Sequence, residues 1–446
     1  MIRILFLAMV LTSNWVLAQE LLQPPTRVLI VNARVFDGRS DALTAPMNVL
    51  IVGNRIERLS DDPIDPGEGV SVIDAGGRTL IPGLIDAHTH LMFSTLSIPA
   101  TLTSDLGYLS VVAAKGAERT LLRGFTSVRD LGGPIFGLKK TIDNGYAGGP
   151  RVWPRGPFLS PSRGDGGFRP PNELPAAEGA MNPAERMGGT VIADSPDLVR
   201  KRTREVLALG ASQIKLMAGG GISSSYDPLD VTQYTVEELR AAVEAAENWG
   251  TYVTVHAYTP RAVRQAIEAG VKCIDHGQLL DEETVQLMAE KGIWWSLQPF
   301  IEDGKSVYPE GSPNRLKQQE MYAGTDRAFA LAKQHRVKIA FGTDKLFDAR
   351  AAALQGTYLV RMKRWFTPVE VLRMATSGNA ELLALSGNRS PYAGKLGVIE
   401  AGALADLLII DGDPIANLEL LENPEQNLVL IMKDGQVYKN TLHRAH

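Results

Sequence analysis

Seven histidines are spread through the 446 residues, and four of them, His88, His90, His256 and His276, close apolar runs of strand length: LIDAHTHL, YVTVHA and KCIDH. Neutral imidazole and carboxylate are the donors that zinc and neighbouring divalent ions take, so such a group points to a metal site. His88 and His90 are two positions apart, which on a strand sends both rings to the same side. A solitary buried histidine is ordinarily a hydrogen-bonded core residue. Four at equivalent strand ends read as a ligand set, whereas His335 lies in a polar helical stretch and His443 and His446 in the tail.

Asp344 and Lys215 extend that set. Asp344 ends the run KIAFGTD, where the alternation that turns Phe341 outward leaves Ala340, Gly342 and Asp344 facing inward. Read locally it is a helix N-cap aspartate; read with the histidines it is a fifth ligand. Lys215, in QIKLMAGGG, lies between Ile214 and Leu216, which would pack outward on a strand and leave the ammonium inside. An unpaired buried charge is costly. The lysine must therefore pair with an anion or react with carbon dioxide to form a carbamate, a carboxylate on a long arm suited to bridging two metals. Two divalent ions sharing a water would make hydroxide available near neutral pH and could polarise a carbonyl. Asp344 would take the proton of that metal-bridging hydroxide during attack and pass it to the departing nitrogen.

Elements able to carry these residues follow from hydrophobic periodicity. Eight strand candidates are Leu84–His90, Thr126–Asp130, Arg151–Pro157, Ser212–Met217, Tyr252–Ala257, Lys272–His276, Trp294–Gln298 and Lys338–Thr343, alternating with amphipathic helical windows. Thr235 with Glu238 predicts a capping box, and Thr367 before Pro368 puts proline at a first helical position. Eight such units predict an α/β fold, a (β/α)8 TIM barrel over 83–389, with catalytic groups at the C-terminal ends of the strands. Short alternating strands in 19–82 and 390–446 predict a small β-sandwich domain built from both chain ends. The Gly/Pro-rich insertion Ser160–Pro183 is too irregular for a barrel element and reads either as a loop over the mouth of the site or as a disordered surface excursion.

Composition bounds the function. With 46 Lys+Arg against 50 Asp+Glu, a net charge of -4 and 44% hydrophobic residues, the chain can bury a large core and has no excess positive charge for nucleic acid or an anionic membrane. Its one cysteine, Cys273, excludes an intrachain disulfide and cysteine-based zinc clusters. Residues 1–18 combine basic Arg3, an apolar run Ile4–Leu11 and small Ala18, the pattern of a cleaved signal peptide. That run is far shorter than the roughly 20 apolar residues a membrane span needs. Export to the periplasm or outside the cell, with no membrane partner after cleavage, is the expectation.

The ordered motifs VFDG, LIPGLIDAHTH, SVRDLGG, IKLMAGGG, VTVHAY, CIDHG, FGTD, ATSGNAELLALSG and GALADLLIIDGDP together resemble the metal-dependent amidohydrolase superfamily, in the branch of imidazolonepropionase-like hydrolases, Xaa-Pro dipeptidases and ochratoxinase. The resemblance implies two divalent metal ions, zinc being the expected metal. It assigns His88, His90 and Asp344 to one, His256 and His276 to the other, and a carboxylated Lys215 between them. It further implies Tyr226 as a substrate contact, against a reading as a packed loop aromatic; Tyr258, two residues after His256, is expected from its position to shape the substrate pocket. Relatives carry Gly-His-Gly-Asp before Phe-Arg where this chain has SRGDGGFRP; aligned on Phe168 and Arg169, Asp165 replaces a histidine that helps hold substrate and Gly167 replaces the aspartate. Arg129 and Asp130 read as a structural ion pair rather than a substrate clamp.

The expected activity is hydrolysis of an amide bond in a small peptide-like molecule: a dipeptide, an Xaa-Pro dipeptide, an N-acyl amino acid or an ochratoxin-type amide. Hydrolysis of a cyclic amide or lactone, or deamination of a heterocycle, is the alternative. Deaminases of this superfamily use one metal and a glutamate soon after the third histidine, where this chain has AYTP after His256. A non-catalytic binding protein is disfavoured because no ligand is missing. Homo-oligomers are common in the superfamily, although the sequence carries no interface signal.

Overall fold

The structure, a computed structural model, describes residues 26–169, 180–224 and 227–442. The signal-peptide reading, Tyr226 and residues 170–179 of the insertion lie outside the described residues.

Eighteen strands occur among the described residues. They are β1 (Arg27–Val35), β2 (Pro46–Val52), β3 (Arg55–Ser60), β4 (Val70–Asp74), β5 (Thr79–Pro82), β6 (Leu84–Thr89), β7 (Phe125–Asp130), β8 (Arg151–Trp153), β9 (Phe158–Ser160), β10 (Thr190–Ile192), β11 (Ile214–Met217), β12 (Val253–Ala257), β13 (Cys273–His276), β14 (Trp294–Ser296), β15 (Ile339–Ala340), β16 (Leu407–Ile410), β17 (Leu428–Lys433) and β18 (Gln436–Asn440). Strands from both chain ends form one eight-stranded sheet in the order β18-β17-β16-β5-β1-β2-β3, with β4 paired to β1. The two ends meet where β16 pairs antiparallel with β5. Leu407 and Ile409 of β16 join Val28, Ile30 and Leu430 in the apolar core of this β-domain, while Leu408 and Ile410 point the other way into the barrel core. The period-two pattern of a strand thus cements two cores at once.

The remaining strands pair in parallel and close a (β/α)8 barrel. Its third stave is split: β8 pairs with β7 and β9 with β11, and Pro154–Pro157 interrupts them. Proline has no N–H to give to a ladder, which is the reason for the break. The seam between the first and last staves is closed by Ala87 N–H donating to Phe341 O (3.0 Å) and Asp344 N–H donating to His88 O (2.8 Å). The Asn379 side chain stitches the same seam, donating to Ile85 O (2.7 Å) and Phe341 O (2.8 Å) and accepting from Phe341 N–H (3.1 Å).

Helices cover the staves. Val236–Asn248 begins with the expected capping box of Thr235 and Glu238 and buries Leu239, Ala242, Val243 and Ala246, spaced along one face. Pro368–Arg373 starts at the Thr367 cap with proline at N1. Among the described residues no helix is long and apolar enough to cross a membrane.

Candidate metal centre

Strand alternation delivers most of the site. In β11, Ile214 and Leu216 join the apolar cluster between barrel and helices, and Lys215 turns inward until its Nζ is 3.1 Å from His88 Nε2. In β12, Val253, Val255 and Ala257 face outward in the same way and His256 faces in. His88 and His90 leave β6 on one side, as the spacing predicts, and both Nε2 atoms come within 3.2 Å of Asp344 Oδ1. The His256 and His276 rings lie 4.5 Å apart, and His276 is 5.0 Å from His88, centroid to centroid.

His276 and Asp344 arrive by another route. Both have left-handed backbone, φ 79° and 48°, conformations rare for residues with a Cβ. By alternation Asp275, not His276, would share the inward face opposite Ile274. The turn at His276 swings the ring back to the centre while Asp275 also stays inside. Asp344 does not cap the following short helix; Asp348 does, accepting from Arg350 and Ala351 N–H.

The electrostatics of these groups suit metal ligation. Burial pushes His90 and His256 down to about 4 and holds His276 well below the usual imidazole range. The rings are therefore neutral near pH 7, the state that binds metals. Burial alone would raise the Asp344 carboxyl, but the His88 ring and the hydrogen bonds from His88 and His90 outweigh it and hold the acid well below its ordinary value. Burial lowers Lys215, partly offset by Asp275, whose Oδ2 lies 3.6 Å from Nζ. His88, His276 and Asp344 each offer a ligand atom within 4.8 Å of one another, a group able to hold a metal ion. Imidazole nitrogen and carboxylate oxygen converging here are donor types that fit divalent metals of the zinc type.

Residues behind the ligands went unread in the sequence. The Gln298 side chain spans two of them, with Nε2 3.1 Å from His88 Nδ1 and Oε1 2.9 Å from His276 Nδ1. Nothing local in the sequence marks Gln298. Arg129 corrects an expectation: its partner is Asp275, not Asp130, with Nη2 donating to Oδ1 at 2.7 Å. Adjacent strand residues leave from opposite faces, so Arg129 and Asp130 cannot meet. Asp130 instead accepts from Leu91 N–H (2.7 Å) and Gly132 N–H (3.3 Å). The inward position of Asp275, next to outward Ile274, was the available signal.

The site opens into a cavity of about 700 Å³, whose lining includes Asp165, Phe168, Tyr258 and Lys345. Tyr258 stacks on His276 (5.1 Å, 28°) and meets His256 edge-on (5.1 Å, 90°), which puts it between ligands and cavity. The described part of the insertion does form cavity wall: Asp165 Oδ2 is 3.7 Å from His256 Nε2, and burial raises its carboxyl to about 6.

Comparison with known proteins agrees with this geometry. The family model described as "Amidohydrolase family" matches residues 79–439. Ochratoxinase of Aspergillus niger is 30% identical over 371 residues, covering 81% of this chain and 75% of the relative. A solved prolidase complexed with N-methylphosphonate-L-proline superposes with a TM-score of 0.85 at 31% identity, over 93% of this chain and 100% of that one. A Xaa-Pro dipeptidase with bound methionine does so with a TM-score of 0.80 at 29% identity, over 93% and 100%. The chain belongs to the amidohydrolase family and is a hydrolase acting on carbon–nitrogen bonds.

Proposed function

We propose that the protein is a binuclear metal hydrolase that cleaves the amide bond of a small peptide-like molecule, a dipeptide such as Xaa-Pro or an N-acyl amino acid of the ochratoxin type. The observation that carries this reading is the convergence of His88, His90, Lys215, His256, His276 and Asp344 at the edge of one cavity. The names of the similar proteins, ochratoxinase, prolidase and Xaa-Pro dipeptidase, support the substrate class.

In this reading His88, His90 and Asp344 would hold one ion and His256 and His276 the other, Lys215 as its carbamate would serve both, and zinc would match the imidazole and carboxylate donors. Bound ions would supply a polarised amide carbonyl and an acidified water. Asp344, kept ionised by its imidazole neighbours, accepts the proton of the attacking water and returns it to the leaving nitrogen. Tyr258, packed on two ligand rings, keeps bulk water from that side. Gln298 and Asp275 orient the rings from behind. Export rests on reading residues 1–18 as a signal peptide.

Two measurements test it together: metal content per chain by elemental analysis, and amino acid release from a panel of dipeptides and N-acyl amino acids. Two ions per chain and release from at least one class are expected. A chain holding no metal while active, or a flat panel with both ions bound, overturns the reading.

A further inference from the structure

Asp165 and Lys345 are among the charged side chains of the cavity wall outside the proposed ligand set. Asp165 is 5% exposed, and its Oδ1 has no hydrogen-bond partner among the described residues. The backbone around it is pinned, with Asp165 N–H donating to Gln233 Oε1 (3.1 Å) and Ser160 Oγ donating to Asp165 O (2.6 Å). Gly221 leaves room for the carboxylate: a Cβ there would lie 2.0 Å from Asp165 Oδ1. Asp165 lines the cavity, and its other oxygen, Oδ2, lies 3.7 Å from His256 Nε2; a buried carboxylate this sparsely partnered is an expensive arrangement unless a cation comes to it.

Lys345 is the opposite case. It directly follows Asp344, is half-buried, and forms no ion pair among the described residues. Its ammonium sits 4.4 Å from the centre of the Phe300 ring and 4.1 Å from that of Tyr358. Two aromatic faces hold such a cation in place without neutralising it. The two charges also come from different arcs of the barrel. Asp165 follows β9 and lies by the loop after β11, while Lys345 follows β15 and packs on Phe300 after β14.

A dipeptide likewise carries one charge of each sign close to its reacting bond. The α-ammonium is two bonds from the scissile carbonyl carbon and the α-carboxylate two bonds from the scissile nitrogen, so both charges must be met close to the reacting bond and on either side of it. Asp165 lies beside His256, and Lys345 adjoins Asp344. We propose that the cavity selects dipeptides in their zwitterionic form, Asp165 receiving the α-ammonium and Lys345 the α-carboxylate. The inference rests on the amide-hydrolase reading and narrows it, because an N-acyl amino acid offers no ammonium to Asp165.

The test uses metal-loaded full-length protein, the best dipeptide of the panel, its N-acetyl derivative and its C-terminal amide. Acetylation and amidation are each expected to lower kcat/KM by roughly 10- to 100-fold, the worth of one charge-assisted hydrogen bond. Asp165→Asn should shrink the penalty for acetylation and leave that for amidation; Lys345→Met should do the reverse. Metal content is measured on both variants, and a general loss of structure would scale all three substrates together rather than shift their ratios. Unchanged ratios in either variant, or N-acyl amino acids cut as fast as dipeptides, overturn the charge pairing and leave the hydrolase reading standing. A metal-loaded protein that cuts nothing in the panel overturns both.

Discussion

Arg129 and Asp275 form an ion pair with no solvent exposure on either side chain, Nη2 to Oδ1 at 2.7 Å, directly behind the candidate metal ligands. Asp275 reaches onward to His88 Nδ1 at 3.4 Å and to Lys215 Nζ at 3.6 Å, and Thr254 Oγ1 donates to its Oδ2 at 2.7 Å. Arg129 in turn donates to Ala87 O and to Tyr252 Oη (3.1 Å). Burial by itself would raise Asp275, yet Lys215, Arg129 and His88 hold it well below the carboxylate range. The barrel interior is thus a charged layer whose members satisfy one another beneath the site, which ties the fold to the ligand geometry.

Asp275→Ala removes one partner and strands a buried guanidinium, which costs about 3–5 kcal/mol. Urea unfolding should show that loss, together with reduced metal content because His88 loses a contact behind it. A variant within about 1 kcal/mol of wild type would mean that water or a rearranged neighbour takes the place of Asp275.

Asp344→Asn separates ligation from proton transfer, since an amide oxygen can still face a cation but cannot carry the proton. General acid–base catalysis is worth about 10²- to 10⁴-fold, so kcat should fall by that much. Metal content measured on the same sample decides the cause. A kcat within tenfold of wild type would remove Asp344 from the proton path.

Asp130 supplies a pH dependence of stability. Burial raises its carboxyl to about 7, against an ordinary value of 3.8, despite hydrogen bonds from Leu91 and Gly132 N–H. A raised acid binds its proton more tightly in the folded state. Its cost to stability is therefore absent below about pH 4, grows as pH rises, and is complete above about 7, approaching about 4 kcal/mol. Asp130→Asn is neutral at every pH, so its unfolding free energy should gain on wild type by that amount between pH 4 and 7.5. Parallel pH profiles for the two proteins would rule the ionisation out.

Gly342 marks where the last stave touches the first. A Cβ at this position would lie 2.5 Å from His88 Cβ and 2.9 Å from its backbone nitrogen. Gly342→Ala should cost about 1–3 kcal/mol through overpacking at the seam. It should also lower activity more than its loss in melting temperature suggests, because the displaced backbone is that of His88. Normal kinetics in a merely destabilised variant would show that the seam gives way on the side of the β15 segment instead.

Much of this molecule was legible in one dimension. Period two in IKLM forced Ile214 and Leu216 into the core outside the barrel and Lys215 into its interior, and the two-residue spacing of His88 and His90 made them neighbours on one side of β6. Such local rules hold because strand geometry is the same wherever a strand lies. Seven of the eight staves were likewise readable, down to the helix caps at Thr235 and Thr367, whereas the third, expected over Arg151–Pro157, is split into β8 and β9 around Pro154–Pro157. Where the backbone leaves regular geometry, the pattern goes silent. His276 and Asp344 enter the site through left-handed φ values that no alternation encodes, and the surrounding closed barrel holds them there. Partners distant in sequence were equally hidden: Arg129 lies 146 positions from Asp275, and Gln298 210 from His88. A buried charge must find a counter-charge, but which one depends on which staves the closed barrel sets side by side, and that is a property of the assembled sheet rather than of any segment of it.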